Sequence, residues 1–292
     1  MEKAVSAKSF LLNYFRILAF SSMVLLTISI ITHHLVPNYS LAFVNRINWE
    51  TLLVYMTVGF LAQLIDGSLG MAYGVSSTSF LMSTGVSPVL ASASVHIAEI
   101  FTTASSGFFH WRFGNIDKSL FKKLLIPGAI GAGIGAYLLS NIDGKTIKPY
   151  IAGYLALMGI VIIVKAFKKV VLKEPKKVQA LALFGGLIDA SGGGGWGPVV
   201  TTTLVSNGNC PRKTIGTVNA VEFFVSLTAG GIFTIFVGFQ SIEIVTGLIL
   251  GGLLASPLGA MIVSRINKKL CMVLIGILIV FLSLRTIIQS IC

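Results

Sequence analysis

Long apolar stretches alternate with short basic clusters along the whole chain. Apolar runs at Ile17–Thr32, Thr146–Val164 and Cys271–Leu284, with their flanks, approach or exceed the roughly 20 residues that a helix needs to cross a bilayer. Only 11% of the residues are charged and 54% are hydrophobic, whereas soluble domains carry roughly 25% charged residues. The pattern therefore predicts an all-α integral membrane protein.

The chain contains an internal repeat. Residues 64–107 align without a gap on residues 187–230, so that Asp66 pairs with Asp189 at an offset of 123 positions. Chance similarity between apolar segments would match mainly Leu, Ile and Val, but these matches fall on Asp, Glu, Gly and Pro, which indicates a duplicated unit. Other identical pairs are Gly70 with Gly193, Gly74 with Gly197, Gly85 with Gly208, Pro88 with Pro211 and Glu99 with Glu222.

Each copy is predicted to hold five helical segments, with a glycine-rich break between the first and the second. The first copy has them near 49–66, 73–85, 88–111, 120–141 and 147–165, and the second near 178–190, 198–207, 211–237, 243–264 and 270–288. The apolar run near the N-terminus has no A-x-A-like cleavage site after it, which favours a retained helix over a signal peptide. The predicted divisions are an N-terminal transmembrane helix and outer loop (1–48), a first repeat (49–165), a basic cytoplasmic linker (166–177) and a second repeat (178–292).

An odd number of segments per copy predicts that the two copies face opposite ways. The positive-inside rule tests this orientation. If the lysine-rich stretch 165–177 is cytoplasmic, eighteen of the 22 Lys and Arg residues lie inside, and only Arg46, Lys145, Lys148 and Arg285 lie outside. We therefore expect an inverted repeat in the cytoplasmic (inner) membrane, with the N-terminus inside and the C-terminus outside. This orientation also accounts for the net charge of +12 without a nucleic-acid partner, because the basic residues form short clusters and no basic domain.

The stretch SGGGGWGP in the second copy marks a candidate substrate site. Irregular backbone at membrane depth is tolerated only where protein buries it or where it lines a cavity. Equivalent breaks in two inverted copies indicate a site near the membrane midplane, where free amides at helix N-termini attract anions. Close helix packing is the alternative for membrane glycines; it is favoured for 128–137 and 247–260, but four consecutive glycines suit no helix face. The predicted substrate-binding residues are Gly70, Tyr73, Gly74, Ser76, Ser77, His96, Gly192, Gly193, Gly194, Gly195, Trp196, Gly197, Thr201 and Asn219.

Four acidic residues are predicted within or beside the spans. Glu99 and Glu222 lie inside the third segment of each copy, where an acid is costly and is functional by default. We expect them to carry or gate a coupling proton; bonding to amides freed at the breaks is the alternative, and transport without a coupled ion stays open. Asp66 and Asp189 precede the breaks and are expected to cap the short segments that follow.

The polar residues near the breaks suggest weak binding of an anion. His96 lies on the same helix face as Glu99 and either contacts the ligand or satisfies a buried neighbour. No lysine or arginine is expected inside a span near the breaks, so an anion would depend on amides, hydroxyls, Tyr73 and Trp196.

The second copy carries a family resemblance. Its stretch GGLIDASGGGGWGPVVTTTLVSNGNCPRKTIGTVNAVEFF, repeated in inverted halves, resembles the TauE/SafE family of sulfite and organosulfur-anion permeases. The resemblance covers most of 50–288. It implies transport of small sulfur-containing anions, such as sulfite or sulfonates, across the cytoplasmic membrane, often outward. The first copy departs from the usual pattern, with DGSLGMAYGVSS where a run of glycines is expected.

The sequence thus predicts a secondary transporter that works by alternating access and is not an enzyme. An anion channel on the same repeats and a structural membrane protein are alternatives. An intramembrane hydrolase that uses Ser76 and His96 is disfavoured because the second copy has Val199 and Asn219 there. The expected partners are a small anion and membrane lipid; whether the chain forms a homo-oligomer is left open. No cofactor or metal is expected, since Cys210, Cys271 and Cys292 show no metal or redox spacing.

Overall fold

A computed structural model gives the fold of most of the chain. The chain divides into two compact units, residues 1–52 and 53–292, and the packing described below lies within the second unit. The predicted N-terminal transmembrane helix and most of the basic linker lie outside the described residues. The structure describes residues 48–167, 177–238, 242–262 and 267–291.

The first half of the described chain forms five helices and no strand. Ser87 begins the third helix by accepting a hydrogen bond from the amide of Leu90, and Pro88 occupies its first turn, where a missing amide donor costs nothing. Asp117 begins the fourth helix by accepting from two amides. The helices are α1 (Trp49–Leu69), α2 (Tyr73–Ser83), α3 (Pro88–Arg112), α4 (Lys118–Ser140) and α5 (Gly144–Phe167).

The described residues of the second half are also helical. The predicted segments agree with the structure to within three residues at each described boundary. The short helix after the second break begins as a π-helical turn, Gly197–Thr201, with Pro198 in it. The helices are α6 (Val178–Gly192), α7 (Thr202–Ser206), α8 (Pro211–Phe236), α9 (Ile242–Ile262) and α10 (Lys268–Ile291).

Among the described residues, six helices are long and apolar enough to cross a membrane: α1, α4, α5, α8, α9 and α10. Helix α10 carries large exposed apolar side chains, including Leu274, Phe281 and Ile288, as lipid-facing helices do. Helix α3 has enough residues to cross a bilayer but is more polar, and its buried positions include Ser92, His96 and Glu99. The structure therefore supports a multi-pass membrane protein in which α3 is an interior helix.

Glycines let the helices pack closely, and the pairs of neighbours give the helix directions. Gly107 of α3 faces Ala220 of α8, and Gly230 of α8 faces Ile97 of α3, so α3 and α8 run antiparallel. In the same way, Gly159 of α5 lies near Val280, and Ile163 lies near Gly276 of α10. Helices α5 and α10 are therefore also antiparallel.

Two other helix pairs run parallel. Gly131 of α4 approaches Leu187 of α6, and Gly135 approaches Ser191, four residues further along both helices. Gly251 of α9 likewise meets the backbone of α1 at Met56, and Gly259 meets it at Gly67. The glycines of 128–137 and 247–260 thus serve close helix packing, which confirms the interpretation of these two stretches from the sequence.

Candidate functional site

The two glycine breaks interrupt the chain with backbone conformations that favour glycine. Gly70 follows α1 with φ +66°. Ala72 has φ 98°, in the left-handed region, which is unfavourable for a residue with a Cβ atom. Gly193 and Gly194 follow α6 with φ +73° and +137°. The helices end here because a left-handed residue cannot continue a right-handed helix.

The two breaks lie directly against each other. A methyl group built on Gly74 would lie 2.9 Å from the Cα of Gly194, and one on Gly194 would overlap the backbone of Val75. Gly197 similarly meets the backbone of Met71. The glycines therefore permit backbone-to-backbone contact between the two halves of the chain, and a ligand could pass between them only if the breaks moved apart.

Asp189 holds the second break together. Its Oδ1 accepts hydrogen bonds from the amides of Gly195 at 2.7 Å and Trp196 at 2.9 Å, in the manner of a capping carboxylate. Its Oδ2 lies 3.3 Å from Nε2 of His96. Both oxygens are therefore engaged, and two of the amides at this break are already satisfied by the protein.

His96 lies between a backbone carbonyl and Asp189. Its Nδ1 lies 2.8 Å from the carbonyl oxygen of Ser92, which is an acceptor only, so Nδ1 is the donor in this contact. Its Nε2 lies 3.3 Å from Oδ2 of Asp189. The imidazole therefore connects α3 to the residue that binds the amides of the second break.

The other three acids are buried with fewer contacts. Ser226 donates to Oε2 of Glu99 at 3.2 Å. Within the described residues, Oε1 of Glu99, Oδ2 of Asp66 and Oε2 of Glu222 have no hydrogen-bond partner. Ligand atoms of His96, Glu99 and Asp189 lie within 4.8 Å of one another. A cluster of proton-binding groups therefore surrounds the contact between the breaks.

Several hydroxyl groups beside the breaks also lack partners in the described part of the chain. They belong to Ser77, Thr78 and Thr201, and all three residues are buried. Ser76 differs because its hydroxyl donates to the carbonyl of Ala72 at 2.5 Å, as membrane-helix hydroxyls often do. Unpartnered buried hydroxyls are costly, so they mark places where a polar ligand would be stabilised.

The aromatic residues and Asn219 have protein partners. Tyr73 donates to the carbonyl of Leu248, and the indole of Trp196 lies 3.4 Å from the carbonyl of Val218. Asn219, the repeat partner of His96, accepts from Ser106 and donates to Ile215. All the residues predicted to bind substrate are buried: Gly70, Tyr73, Gly74, Ser76, Ser77, His96, Gly192, Gly193, Gly194, Gly195, Trp196, Gly197, Thr201 and Asn219.

Two residues near the second break were not predicted from the sequence. Tyr154 of α5 donates to the carbonyl of Gly194 at 2.8 Å; the equivalent position of the second copy is Ile277, so the repeat gives no signal for it. Lys165 donates to the carbonyl of Pro198 at 3.3 Å and to the hydroxyl of Thr202. The expectation that no lysine lies inside a span near the breaks is therefore wrong, because Lys165 belongs to the last turn of α5 and packs beside the π-helical turn.

Comparison with known proteins agrees with this architecture. The chain is 44% identical to the probable membrane transporter protein YtnM of Bacillus subtilis (strain 168) over 252 residues, which are 82% of this chain and 84% of the relative. It is 25% identical to the probable membrane transporter protein YdhB of the same organism, over 74% of this chain and 91% of the relative. No solved structure matches. The model of the family described as Sulfite exporter TauE/SafE matches residues 55–286, and the chain belongs to this family of membrane transporters.

Proposed function

We propose that the protein is a secondary transporter that moves small sulfur-containing anions, such as sulfite or organosulfonates, by alternating access. The observation that carries the proposal is the direct contact of two equivalent glycine breaks, one from each half of the chain, among buried hydroxyls and carboxylates without partners. The name of the family, Sulfite exporter TauE/SafE, supplies the class of anion.

An inverted repeat is the arrangement that the helix directions support. Helices α3 and α8 correspond at the offset of 123 residues, as do α5 and α10, and each pair runs antiparallel. The parallel pair α1 and α9 corresponds to the parallel pair α6 and α4. These relations are those of two copies related by a two-fold axis in the membrane plane, the arrangement found in many secondary transporters.

Transport would require the two breaks to separate. The contact between Gly74 and Gly194 leaves no room for a ligand, so this conformation has the proposed site closed. If the two repeats rock relative to each other, the free hydroxyls of Ser77, Thr78 and Thr201 and the remaining amides of the breaks become available to an anion. Closure after passage would restore the backbone contacts.

Protons are proposed to accompany the anion. Asp66, Glu99, Asp189 and Glu222 are each less than 5% exposed, and two like charges about 4 Å apart repel by about 4 kcal/mol at an effective dielectric constant of 20. An anion that enters this region is therefore better tolerated when carboxylates are protonated. We propose that Glu99 and Glu222 bind these protons, so that an acidic side favours anion uptake from that side.

Flux measurements in proteoliposomes test the proposal. Uptake of labelled sulfite and of methanesulfonate is measured with and without a pH gradient; a sulfonate stays ionised throughout, so its pH dependence reports on the protein. We expect saturable uptake and counterflow exchange, both faster when the external solution is acidic. Non-saturating flux without counterflow would favour an anion channel, and flux of none of the anions would refute the proposal.

A further inference from the structure

A cavity of about 360 Å³ opens at one end of the helix bundle, away from the residues of the two breaks. Its wall includes the start of three helices from both halves of the chain: α4 at Asp117, α6 at Val178 and α8 at Cys210. These three helices begin on the side of the membrane that is predicted to be cytoplasmic from the basic stretch 165–177. The cavity thus lies where a solute from the cytoplasm would enter.

The described lining of the cavity carries a net positive charge. Among the described residues, Lys123 and Lys213 line it, against one carboxylate, that of Asp117. That carboxylate is partly engaged, because its Oδ1 accepts from the amides of Ser119 at 2.8 Å and Leu120 at 3.0 Å. Lys213 makes one long contact, 3.3 Å from its Nζ to the carbonyl of Ile116, and keeps donors for a ligand.

Two of the three helix N-termini at the cavity have no side-chain cap. Helix α6 follows Lys177, and α8 follows Cys210, and neither of these residues caps its helix with a side-chain hydrogen bond. An uncapped N-terminus presents free amides and roughly half a positive charge. The first residue of α8 is Pro211, which has no amide donor, so α6 presents the fuller set of amides. The N-terminus of α4 differs, since Asp117 already occupies it.

Polar side chains also lie on the cavity wall. Thr214 is 1% exposed and lines the cavity. The amide nitrogen of Asn209, on the same wall, is buried and has no hydrogen-bond partner among the described residues. This nitrogen is an independent sign of a polar ligand, because buried donors are normally satisfied.

We propose that this cavity binds a small oxyanion of the sulfonate or phosphate type. Lys123, Lys213, the hydroxyl of Thr214 and the first amides of α6, which begins at Val178, would surround it. The proposal rests on the proposed transport function in one respect: the cavity serves as a loading site from which the anion moves to the breaks.

The repeat predicts that loading is one-sided. At the offset of 123 residues, Lys213 corresponds to Leu90, Lys123 to Thr246 and Thr214 to Ala91. The equivalent region at the opposite face therefore lacks both lysines, and an alanine stands at the position of Thr214. An anion should be captured at lower concentration from the lysine side than from the other side. This difference favours transport out of the cytoplasm when the cytoplasmic concentration of the anion is low.

Cys210 gives a direct assay of binding, because it is exposed and lines the cavity. The full-length protein, purified in detergent without phospholipid, is labelled with N-ethylmaleimide in increasing concentrations of methanesulfonate, and modification of each cysteine is followed by mass spectrometry. We expect labelling of Cys210 to slow at least about fivefold while labelling of Cys271 is unchanged. Sulfite itself is avoided because it reacts with maleimides.

Variants identify the groups that bind the anion. Lys123→Gln and Lys213→Gln should each raise the half-protecting concentration of methanesulfonate about tenfold, the size of one lost charge-assisted hydrogen bond. Thr214→Val should raise it about threefold, in keeping with one lost neutral hydrogen bond. The exposed Lys145 provides the matched control, and Lys145→Gln should leave protection unchanged. Because Lys213 also contacts Ile116, the exposed Lys123 keeps the test valid if Lys213→Gln does not fold.

Three results would overturn the proposal: no protection of Cys210, equal protection in the lysine variants, or protection by phosphatidylglycerol micelles alone, which would assign the cavity to a lipid headgroup. Flux measurements distinguish failure of the loading-site proposal from failure of the proposed transport function. Intact flux without protection refutes the loading site only, whereas protection without flux of any anion refutes transport and leaves an oxyanion site. In the working transporter, Lys123→Gln should raise the half-saturating concentration from the lysine side and not from the other.

Discussion

The two glycine breaks occupy equivalent positions in the repeat, but their polar groups differ in how many have hydrogen-bond partners within the protein. At the second break, Asp189 binds the amides of Gly195 and Trp196 and faces His96, and Tyr154 binds the carbonyl of Gly194. The break with more glycines is therefore the one whose hydrogen bonds are largely satisfied by the protein itself.

At the first break, polar groups are left without partners. Oδ2 of Asp66 and the hydroxyls of Ser77 and Thr78 make no hydrogen bonds in the described part of the chain. Its backbone is also less relaxed, since Ala72 has φ 98°, where an L-residue costs roughly 1–2 kcal/mol. The first break therefore holds more polar groups without partners than the second, although its sequence has the weaker resemblance to the family.

The difference shows that glycine content and ligand binding are separate properties here. The glycines of the second break allow the backbones to touch, as the neighbours of Gly194 and Gly197 demonstrate. Side chains of the first break then supply most of the hydrogen-bonding groups without partners. We infer that the second break is mainly the structural partner and that the first break contributes more of the anion's contacts.

The largest expected loss of stability comes from adding a side chain where the two breaks touch. Gly194→Ala places a methyl group into the backbone of Val75 at φ +137°. The overlap and the unfavourable φ together should destabilise the protein by about 4 kcal/mol. Thermal unfolding in detergent measures the loss.

Gly70→Ala is the matched control for this change. It has φ +66°, and its methyl group would lie 3.1 Å from the side chain of Thr201 and 3.3 Å from the Cα of Ile215, so that it crowds its neighbours but does not overlap backbone. The expected loss is about 2 kcal/mol, mainly from the left-handed backbone. Equal losses in the two variants would show that backbone contact between the breaks is not the main constraint.

Substitution of the two aspartates tests the difference between the breaks. Asp189→Ala removes the acceptor of two buried amides and the partner of His96, which should cost about 3 kcal/mol. Asp66→Ala should cost about 1 kcal/mol, because one oxygen of Asp66 has no partner to lose. Urea or thermal unfolding of both variants in the same detergent gives the two values. A larger loss for Asp66→Ala would reverse the assignment of the structural break.

Local patterns in the sequence were sufficient to predict the helices. The duplicated Pro88 and Pro211 fix the starts of α3 and α8, since proline fits the first helical turn, and the glycine breaks fix the ends of α1 and α6. The buried polar positions of α3 could also be anticipated, because an acid such as Glu99 in an apolar segment is costly unless it faces the protein interior.

Contacts between distant parts of the chain could not be predicted in the same way. His96 and Asp189 are 93 positions apart, and nothing in the local pattern around either residue specifies the other. Lys165 begins the lysine-rich stretch 165–177 that is predicted to be cytoplasmic, yet its long side chain reaches back to Pro198. Gln63, a buried polar residue of α1 without a partner in the described chain, could have been noticed by the same reasoning that identified Glu99.

The dependence of flux on a pH gradient tests whether the buried acids beside the first break carry the coupled proton. A methyl group on Gly74 would lie 3.2 Å from Oε1 of Glu99, so this acid lies against the first break. Glu99→Gln and Glu222→Gln should each abolish the dependence of methanesulfonate flux on a pH gradient. One coupled proton contributes about 1.4 kcal/mol per pH unit. Gradient-dependent flux that persists unchanged in both variants would refute this role.

The smallest effect is expected from the free hydroxyls of the first break. Ser77→Ala and Thr78→Val each remove a buried donor without a partner, so the free energy of unfolding should stay the same or rise slightly. The half-saturating anion concentration should rise about three- to tenfold, the equivalent of one hydrogen bond lost from the bound anion. The control is Ser76→Ala, because that hydroxyl already bonds to Ala72 and should matter little for the anion. If Thr201→Val in the second break raises this concentration more than either first-break variant does, the second break binds the anion and the division of roles drawn above is wrong.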